Sequence, residues 1–334
     1  MSGVKFINNI KNKSIAVLLC TAMLFAVSGC SKQQVNIPDS YQINSDIFGL
    51  LQEESEEIIG NHLIGSEICV ANDNIELADV NMSLAESALI FDITNRETIY
   101  AKNVHTQLYP ASTTKILTAY LALKYGNLDD IVTISSENVK LEKDSSNCGL
   151  KAGDQISVKD LLYGLMLKSA NEAANALADY ISGSTVSFAI LMNEEAEALG
   201  ATNSHFVNAH GLHDDDHYTT AYDLYLIFQN ALKNETFREI CGSTSYNVSY
   251  KNAKGETVSD KWENTMQYFT RNKIAPEGVT VMAGKTGTTS KAQSCLVLLS
   301  ENEMGEEFIS IILKSQDRGV LYDEMNDLLE EINK

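Results

Sequence analysis

Apolar positions fall into three regimes along the chain. Ile15 to Val27 is a nearly unbroken apolar stretch. A polar, acidic run follows from Ser31 to about Asn74, with Glu53, Glu54, Glu56 and Glu57 in a cluster. That run predicts a solvated spacer, with one short helix around Ile47–Ile59. From Ser87 the spacing tightens. Ala88–Phe91 and Thr98–Tyr100 flank the polar Thr94-Asn95-Arg96-Glu97, the pattern of a β-hairpin. Behind Pro110, Ile116, Leu117, Tyr120, Leu121 and Leu123 recur at helical spacing. Proline is tolerated in a first helical turn, where its missing N–H has no partner, and Gly126 supplies a C′ residue to end the helix. Val132–Ile134 predicts a short strand. Ser157, with Asp160 in the first turn, caps a helix to Leu167. Ser169–Ile181, Thr185–Leu199 (closed by Gly200) and Thr220–Leu232 read as further helices, the last preceded by a Gly- and Asp-rich loop at His210–His217. The last third changes period: Val279–Met282, Ser294–Leu299 and Phe308–Leu313 read as strands. A closing amphipathic helix carries Leu321, Met325, Leu328, Leu329 and Ile332. Strands at both ends with helices between them predict an α/β body, its sheet made by the two termini and flanked by helices.

With 44% hydrophobic and 21% charged residues among 334, the composition is that of a globular protein. The formal charge is −20, and no acidic residue precedes Cys30 whereas Lys5, Lys11 and Lys13 do, so the chain after them is more acidic still. Such a surface repels nucleic acid and anionic headgroups, and no basic stripe offsets it. The lysines and the apolar stretch, too short for a comfortable membrane span, form a targeting leader over 1–29. Its end, Val27-Ser28-Gly29-Cys30, resembles a bacterial lipobox, in which Cys30 is lipidated and becomes the first mature residue. Two acyl chains on one cysteine anchor stably, which places function on the outer face of the cytoplasmic membrane. The expected organisation is a lipoprotein leader at 1–29, an anchored acidic spacer at 30–80 and a catalytic domain at 81–334, with a helical subdomain at about 126–230. Besides Cys20 and Cys30, Cys69, Cys148, Cys241 and Cys295 remain. They form no C-x-x-C pattern, which argues against zinc, and spacing does not choose among their possible pairings.

Ser112 stands at a predicted helix N-terminus and Lys115 one turn later on the same face. An amine is then within reach of a hydroxyl, beside backbone N–H groups that point at whatever binds. Alone, this pattern is better explained as a capping serine followed by a solvated lysine. Two later motifs change that. Ser169-Ala170-Asn171 lies between two helical stretches, unlike the S-x-N triplets at Ser136, Ser145, Ser245 and Ser300. Lys285-Thr286-Gly287 occurs once, at a predicted strand end. In this order the three match the motif set of serine penicillin-binding proteins and β-lactamases.

Further segments fall in the same order: Pro110–Ile116, Gly153–Val158, Asn208–Leu212, His217–Asp223 and Gly284–Thr289. From about Leu84 to its end the chain resembles the low-molecular-mass penicillin-binding proteins of the D-alanyl-D-alanine carboxypeptidase family. The resemblance implies a DD-peptidase/β-lactamase-like fold, an antiparallel sheet of N- and C-terminal strands with an all-helical subdomain. It implies no cofactor and no metal. The activity it implies is removal of the terminal D-alanine of peptidoglycan stem peptides through an acyl-serine, which β-lactams also form. By the same resemblance Ser112 is the nucleophile and Lys115 its base, kept neutral by desolvation and the charge of Lys285. Ser169 relays a proton to the leaving amine, and Asn171 holds the substrate amide and Lys115. The N–H groups of Ser112 and Thr288 form an oxyanion hole. Lys285, Thr286 and Arg318 bind the terminal carboxylate, and the edge at Gly287–Thr288 pairs with the substrate backbone.

Three departures stand out. The family's Ser-Gly-Asn is Ser169-Ala170-Asn171 here, and its Ala-Gly pair is Ala292-Gln293, where the glutamine is expected to crowd the carboxylate pocket. Many relatives continue into a small β-domain and an amphipathic anchor, a role expected here of the lipid on Cys30. A class A β-lactamase needs a deacylating glutamate on a loop between the second and third motifs, and the stretch 203–220 has none. Glu172 falls in a predicted helix. A catalytically weak penicillin sensor is the other rival, and Gln293 speaks for it. The run His213–His217 reads as an acidic turn, and His210 as a hydrogen-bonding residue near the cleft.

Overall fold

The computed structural model describes residues 67–334. The leader, Cys30 and the helix expected around Ile47–Ile59 lie outside the described residues. The described end of the acidic segment, expected to continue as spacer to residue 80, is already part of the body. Cys69 and Ala71 are buried, the Cys69 N–H donates to Tyr225 Oη at 2.7 Å, and Ile75 bridges Ala101. Small apolar residues between the acidic ones are enough to seat this stretch.

Along the chain, β1 (Ala85–Asp92) and β2 (Glu97–Lys102) form the expected hairpin. A 3-10 turn at Ala111–Thr114 leads into α1 (Lys115–Tyr125), then β3 (Ile131–Thr133), β4 (Gln155–Ser157) and α2 (Val158–Leu167). Ser157 Oγ accepts the Asp160 N–H, as its capping position predicts. Next come α3 (Asn171–Ser182), α4 (Thr185–Ala198), α5 (Ala221–Ala231) and α6 (Glu235–Gly242). The hairpin of β5 (Ser245–Lys251) and β6 (Thr257–Glu263) and the single turn α7 (Gln267–Thr270) lead to β7 (Thr280–Thr289), β8 (Gln293–Glu301) and β9 (Glu307–Ser315). Helix α8 (Arg318–Leu329) follows.

The main sheet has the order β2-β1-β9-β8-β7, every pair antiparallel, so the two termini do build one sheet. Its central strands are buried on both faces, and successive residues serve opposite cores. Leu89, Phe91, Val297, Leu299, Ile309 and Ile311 face the core shared with α1 and α5. Ala88, Ile90, Leu296, Leu298 and Ile312 face the core shared with Leu321, Met325 and Leu328 of α8.

The region expected as an all-helical subdomain carries β3, where Val132–Ile134 predicted a strand, and the unexpected β4, and both join β5 and β6 in a second sheet of order β3-β4-β5-β6. The hairpin β5–β6 escaped sequence reading for a physical reason. Its strands are mostly polar, and Val248 and Trp262 are its buried side chains. The four cysteines Cys69, Cys148, Cys241 and Cys295 are free thiols.

Candidate active site

Helix α1 begins at Lys115, later than expected, because Ala111 sits in the left-handed region at φ 49° and the turn 111–114 is 3-10. Thr113 Oγ1 donates to Pro110 O at 2.8 Å and Thr114 Oγ1 to Ala111 O at 2.9 Å, so the turn satisfies itself. The loop 208–217 grips it from outside. His217 Nε2 lies 2.8 Å from Thr114 Oγ1, Thr118 Oγ1 donates to Ala209 O at 2.7 Å, and Gly211, at φ 84°, rests against Ala111. A Cβ on Gly211 would lie 1.8 Å from Ala111 O. On the other side, β7 passes so close that a Cβ on Gly287 would lie 2.9 Å from the Ser112 nitrogen.

Lys115 is fully buried, yet its Nζ has three oxygens around it. Ser112 Oγ lies at 3.1 Å, and Nζ donates to Asn171 Oδ1 at 2.7 Å and to His210 O at 2.7 Å. Burial holds its pKa well below the usual lysine value, the positive charge of Lys285 lowers it further, and Glu172 opposes both. A neutral amine has two N–H bonds and one lone pair. With both N–H bonds taken by Asn171 and His210, the lone pair is left for the Ser112 hydroxyl.

Lys285 is the second buried amine. Its Nζ donates to Ser169 Oγ at 3.0 Å and to Thr286 O at 2.8 Å. Burial first, and Arg318 after it, push this lysine down to about 7, with Cys241 pulling the other way. Ser169 follows α2 in the left-handed region at φ 56°, where glycine is usual. Asn171 opens α3, and its N–H donates to Ser146 O at 2.9 Å. One short, strained link between two helices thus aims Ser169 at Lys285 and Asn171 at Lys115.

Ser112 and Ser169 open onto a cleft of about 190 Å³, with the two buried lysines behind them. Ser146, Lys168 and Ser169 form one wall, and Thr286, Gly287 and Thr288 the other, with Ser112 between them. Arg318 closes the end, its Nη2 donating to Thr265 O at 2.6 Å. Ser112, Lys115, Ser169, Asn171, Lys285, Thr286, Gly287, Thr288 and Arg318 are therefore brought together, while Cys30 lies outside the described residues. Sequence reading missed Ser146, Lys168 and Thr265, which carry no motif of their own. Only the triplet at Ser145 and the adjacency of Lys168 to Ser169 hinted at them.

Gln293 does not crowd the cleft. It is exposed at the start of β8, opposite Thr289, at φ 54°. Glu172 does not face Ser112 as a deacylating base would. Its Oε1 accepts the N–H groups of Cys148 at 2.7 Å and Gly149 at 3.0 Å, which fixes the loop that carries Ser146. His210 is half-buried and pushed down to about 3 by desolvation, with Lys115 adding to it, so it stays neutral. Its Nδ1 accepts the Leu212 N–H at 3.1 Å.

A family model described as D-alanyl-D-alanine carboxypeptidase matches residues 75–317. The D-alanyl-D-alanine carboxypeptidase DacF of Bacillus subtilis is 31% identical over 218 residues, 64% of this chain and 53% of its own length. The D-alanyl-D-alanine carboxypeptidase of Streptomyces sp. strain K15 is 36% identical over 230 residues, 65% of this chain and 76% of its own. The chain thus spans about half the length of the Bacillus relative. The crystal structure of the Streptomyces K15 DD-transpeptidase superposes with a TM-score of 0.70 at 30% identity, covering 75% of this chain and 98% of that one. With its fold, its cleft and its sequence in agreement, the chain belongs to the D-alanyl-D-alanine carboxypeptidase family of serine peptidases.

Proposed function

We propose that this protein removes the terminal D-alanine from peptidoglycan stem peptides through an acyl-enzyme on Ser112. The observation that carries the reading is the buried Lys115 amine, whose two N–H bonds are occupied and whose lone pair is left facing Ser112 Oγ. Lys115 takes the hydroxyl proton as Oγ attacks the carbonyl of the penultimate D-alanine. The N–H groups of Ser112 and Thr288 hold the oxyanion. Lys285, Thr286 and Arg318 bind the terminal carboxylate, and Gly287–Thr288 pairs with the peptide backbone. On collapse the C–N bond breaks, the proton that Lys115 took is relayed through the Ser169 hydroxyl to the departing amine, which leaves Lys115 neutral again, and Asn171 keeps Lys115 in register. Water then attacks the ester with Lys115 as base, returning the proton to Ser112 and releasing the shortened peptide. A β-lactam acylates the same serine, but its leaving amine stays tethered in the opened ring. No metal or cofactor enters these steps.

The lipobox-like Val27–Cys30 supports a further part of the reading, that Cys30 carries the lipid that holds the enzyme to the outer face of the cytoplasmic membrane. In it, residues 1–29 are the leader and the chain after Cys30 is a spacer for the catalytic body that runs to residue 334.

The test is D-alanine release from a peptide ending in Lys-D-Ala-D-Ala, with the full chain in detergent against Ser112→Ala. Release that disappears in the variant supports the carboxypeptidase. A stable penicillin adduct without D-alanine release replaces it with the sensor reading.

A further inference from the structure

Lys168, the residue just before Ser169, is a cation without a partner. It caps the C-terminal end of α2, where a lysine commonly donates to the carbonyls of the last turn. Here its half-buried side chain lines the cleft instead, and its ammonium makes no hydrogen bond or ion pair among the described residues. Two contacts fix the end of the cleft to which it belongs. Leu167 O accepts Thr265 Oγ1 at 3.3 Å, and Thr265 O accepts Arg318 Nη2 at 2.6 Å. The end of α2, Thr265 and Arg318 therefore close this end together, across from Thr286 on β7. Lys285 lies just behind, its Nζ on Ser169 Oγ at 3.0 Å. Acidic residues outnumber basic ones 45 to 25 in this chain. Yet three basic side chains meet here, and among the described residues no acidic side chain lines the cleft.

On the carboxypeptidase reading above, on which this inference rests, the leaving residue sits at this end. Its amine is at Ser169, and its carboxylate is at Lys285, Thr286 and Arg318, on the β7 side. That single carboxylate leaves the Lys168 ammonium with no counter-charge. A side chain that leaves the same carbon away from β7 runs toward Lys168, and an alanine methyl stops short of it. We infer that Lys168 is a specificity-determining residue for the leaving group, and that the cleft favours a terminal residue whose side chain carries a second carboxylate. Such a carboxylate meets the free ammonium in a charge-assisted contact. An amide of the same shape offers an oxygen without the charge, and a methyl offers nothing.

The test uses the full chain in detergent and three peptides, acyl-Lys-D-Ala-X, in which the terminal residue X is D-alanine, D-glutamate or D-glutamine. The released residue is measured by chromatography. We expect kcat/KM for D-glutamate to exceed that for D-glutamine by about tenfold at low salt, the scale of one charge-assisted contact. The ratio shrinks as salt screens the half-exposed ammonium. Lys168→Arg keeps D-glutamate ahead, Lys168→Met makes the two equal, and Lys168→Glu inverts the order. A merely structural role would slow all three peptides alike and leave the ratio in place. Thermal unfolding and the rate of penicillin acylation check that each variant is folded. Wild-type values for D-glutamate and D-glutamine within twofold of each other, a ratio that Lys168→Met does not move, or release of D-alanine alone overturns the assignment. No residue released from any of the peptides, with penicillin still bound, overturns instead the reading on which it rests.

Discussion

Replacing Gly211 by alanine tests how Ser112, the proposed nucleophile, is held. The new Cβ would lie 1.8 Å from Ala111 O, 2.4 Å from Ala111 C and 2.8 Å from Thr114 Oγ1, while real Cβ contacts stay above 3.0 Å. The obstacle is backbone, so no side-chain rotation relieves it, and the loop and the turn must separate by more than an ångström. At φ 84° the alanine also enters the left-handed region, which costs about 1–2 kcal/mol. Forced overpacking adds about 1–3 kcal/mol, for a total of about 2–5 kcal/mol. Catalysis suffers separately, because Ala111 directly precedes Ser112 and a displacement of this size costs on the order of a hundredfold in rate. Gly183→Ala is the control. It sits at a similar φ of 74° with nothing within 4 Å of the added Cβ, so it carries strain without collision. It should cost about 1 kcal/mol and leave acylation intact. Urea unfolding reads stability, and the second-order rate of acylation by a fluorescent penicillin reads the site. Gly211→Ala acylating within threefold of wild type, with a stability loss equal to that of Gly183→Ala, would refute the claim that this contact holds Ser112.

The remaining predictions concern charge and strain. Lys115 must be neutral to accept a proton, so acylation falls on the acid side of its titration. Lys285→Gln removes a positive neighbour and moves that limb to higher pH, whereas Glu172→Gln removes a negative one and moves it lower. Rate–pH profiles with penicillin check both, and shifts in one common direction would contradict the assignment. Burial pushes the His217 imidazole from 6.5 down to about 4, so the unfolded chain takes up the proton first. The stability that this group contributes is present above pH 6.5 and lost as pH falls through about 4, a change of about 3 kcal/mol. His217→Gln should flatten the stability–pH slope in that window, as measured by urea unfolding at a series of pH values. Gln293 is exposed at φ 54° and has no part in the cleft, so Gln293→Gly should raise stability by up to about 1 kcal/mol without changing acylation. A slower reaction in that variant would place the side chain back in the site.

Chemistry that depends on neighbours in sequence was legible from the chain alone. Ser112 and Lys115 share a helical turn, so their proximity follows from local geometry. The apolar run Ala88–Phe91 before a polar turn likewise foretold a strand, and Ser157 with Asp160 foretold a capped helix. These are short-range effects, and backbone period decides them. What tertiary structure alone decided lies between distant segments. Nothing in the sequence shows that Lys285 Nζ reaches Ser169 Oγ, or that His210 lends its carbonyl to Lys115, because helix and sheet packing sets those distances. The left-handed backbone at Ala111 and Ser169 was equally hidden. Neither residue type favours that conformation, and only the surrounding contacts sustain it. Hairpin β5–β6 escaped because two buried side chains, Val248 and Trp262, leave too faint an alternation. The motifs pointed to the groups that the proposed reaction uses, and the long-range packing set the proton affinities that it needs.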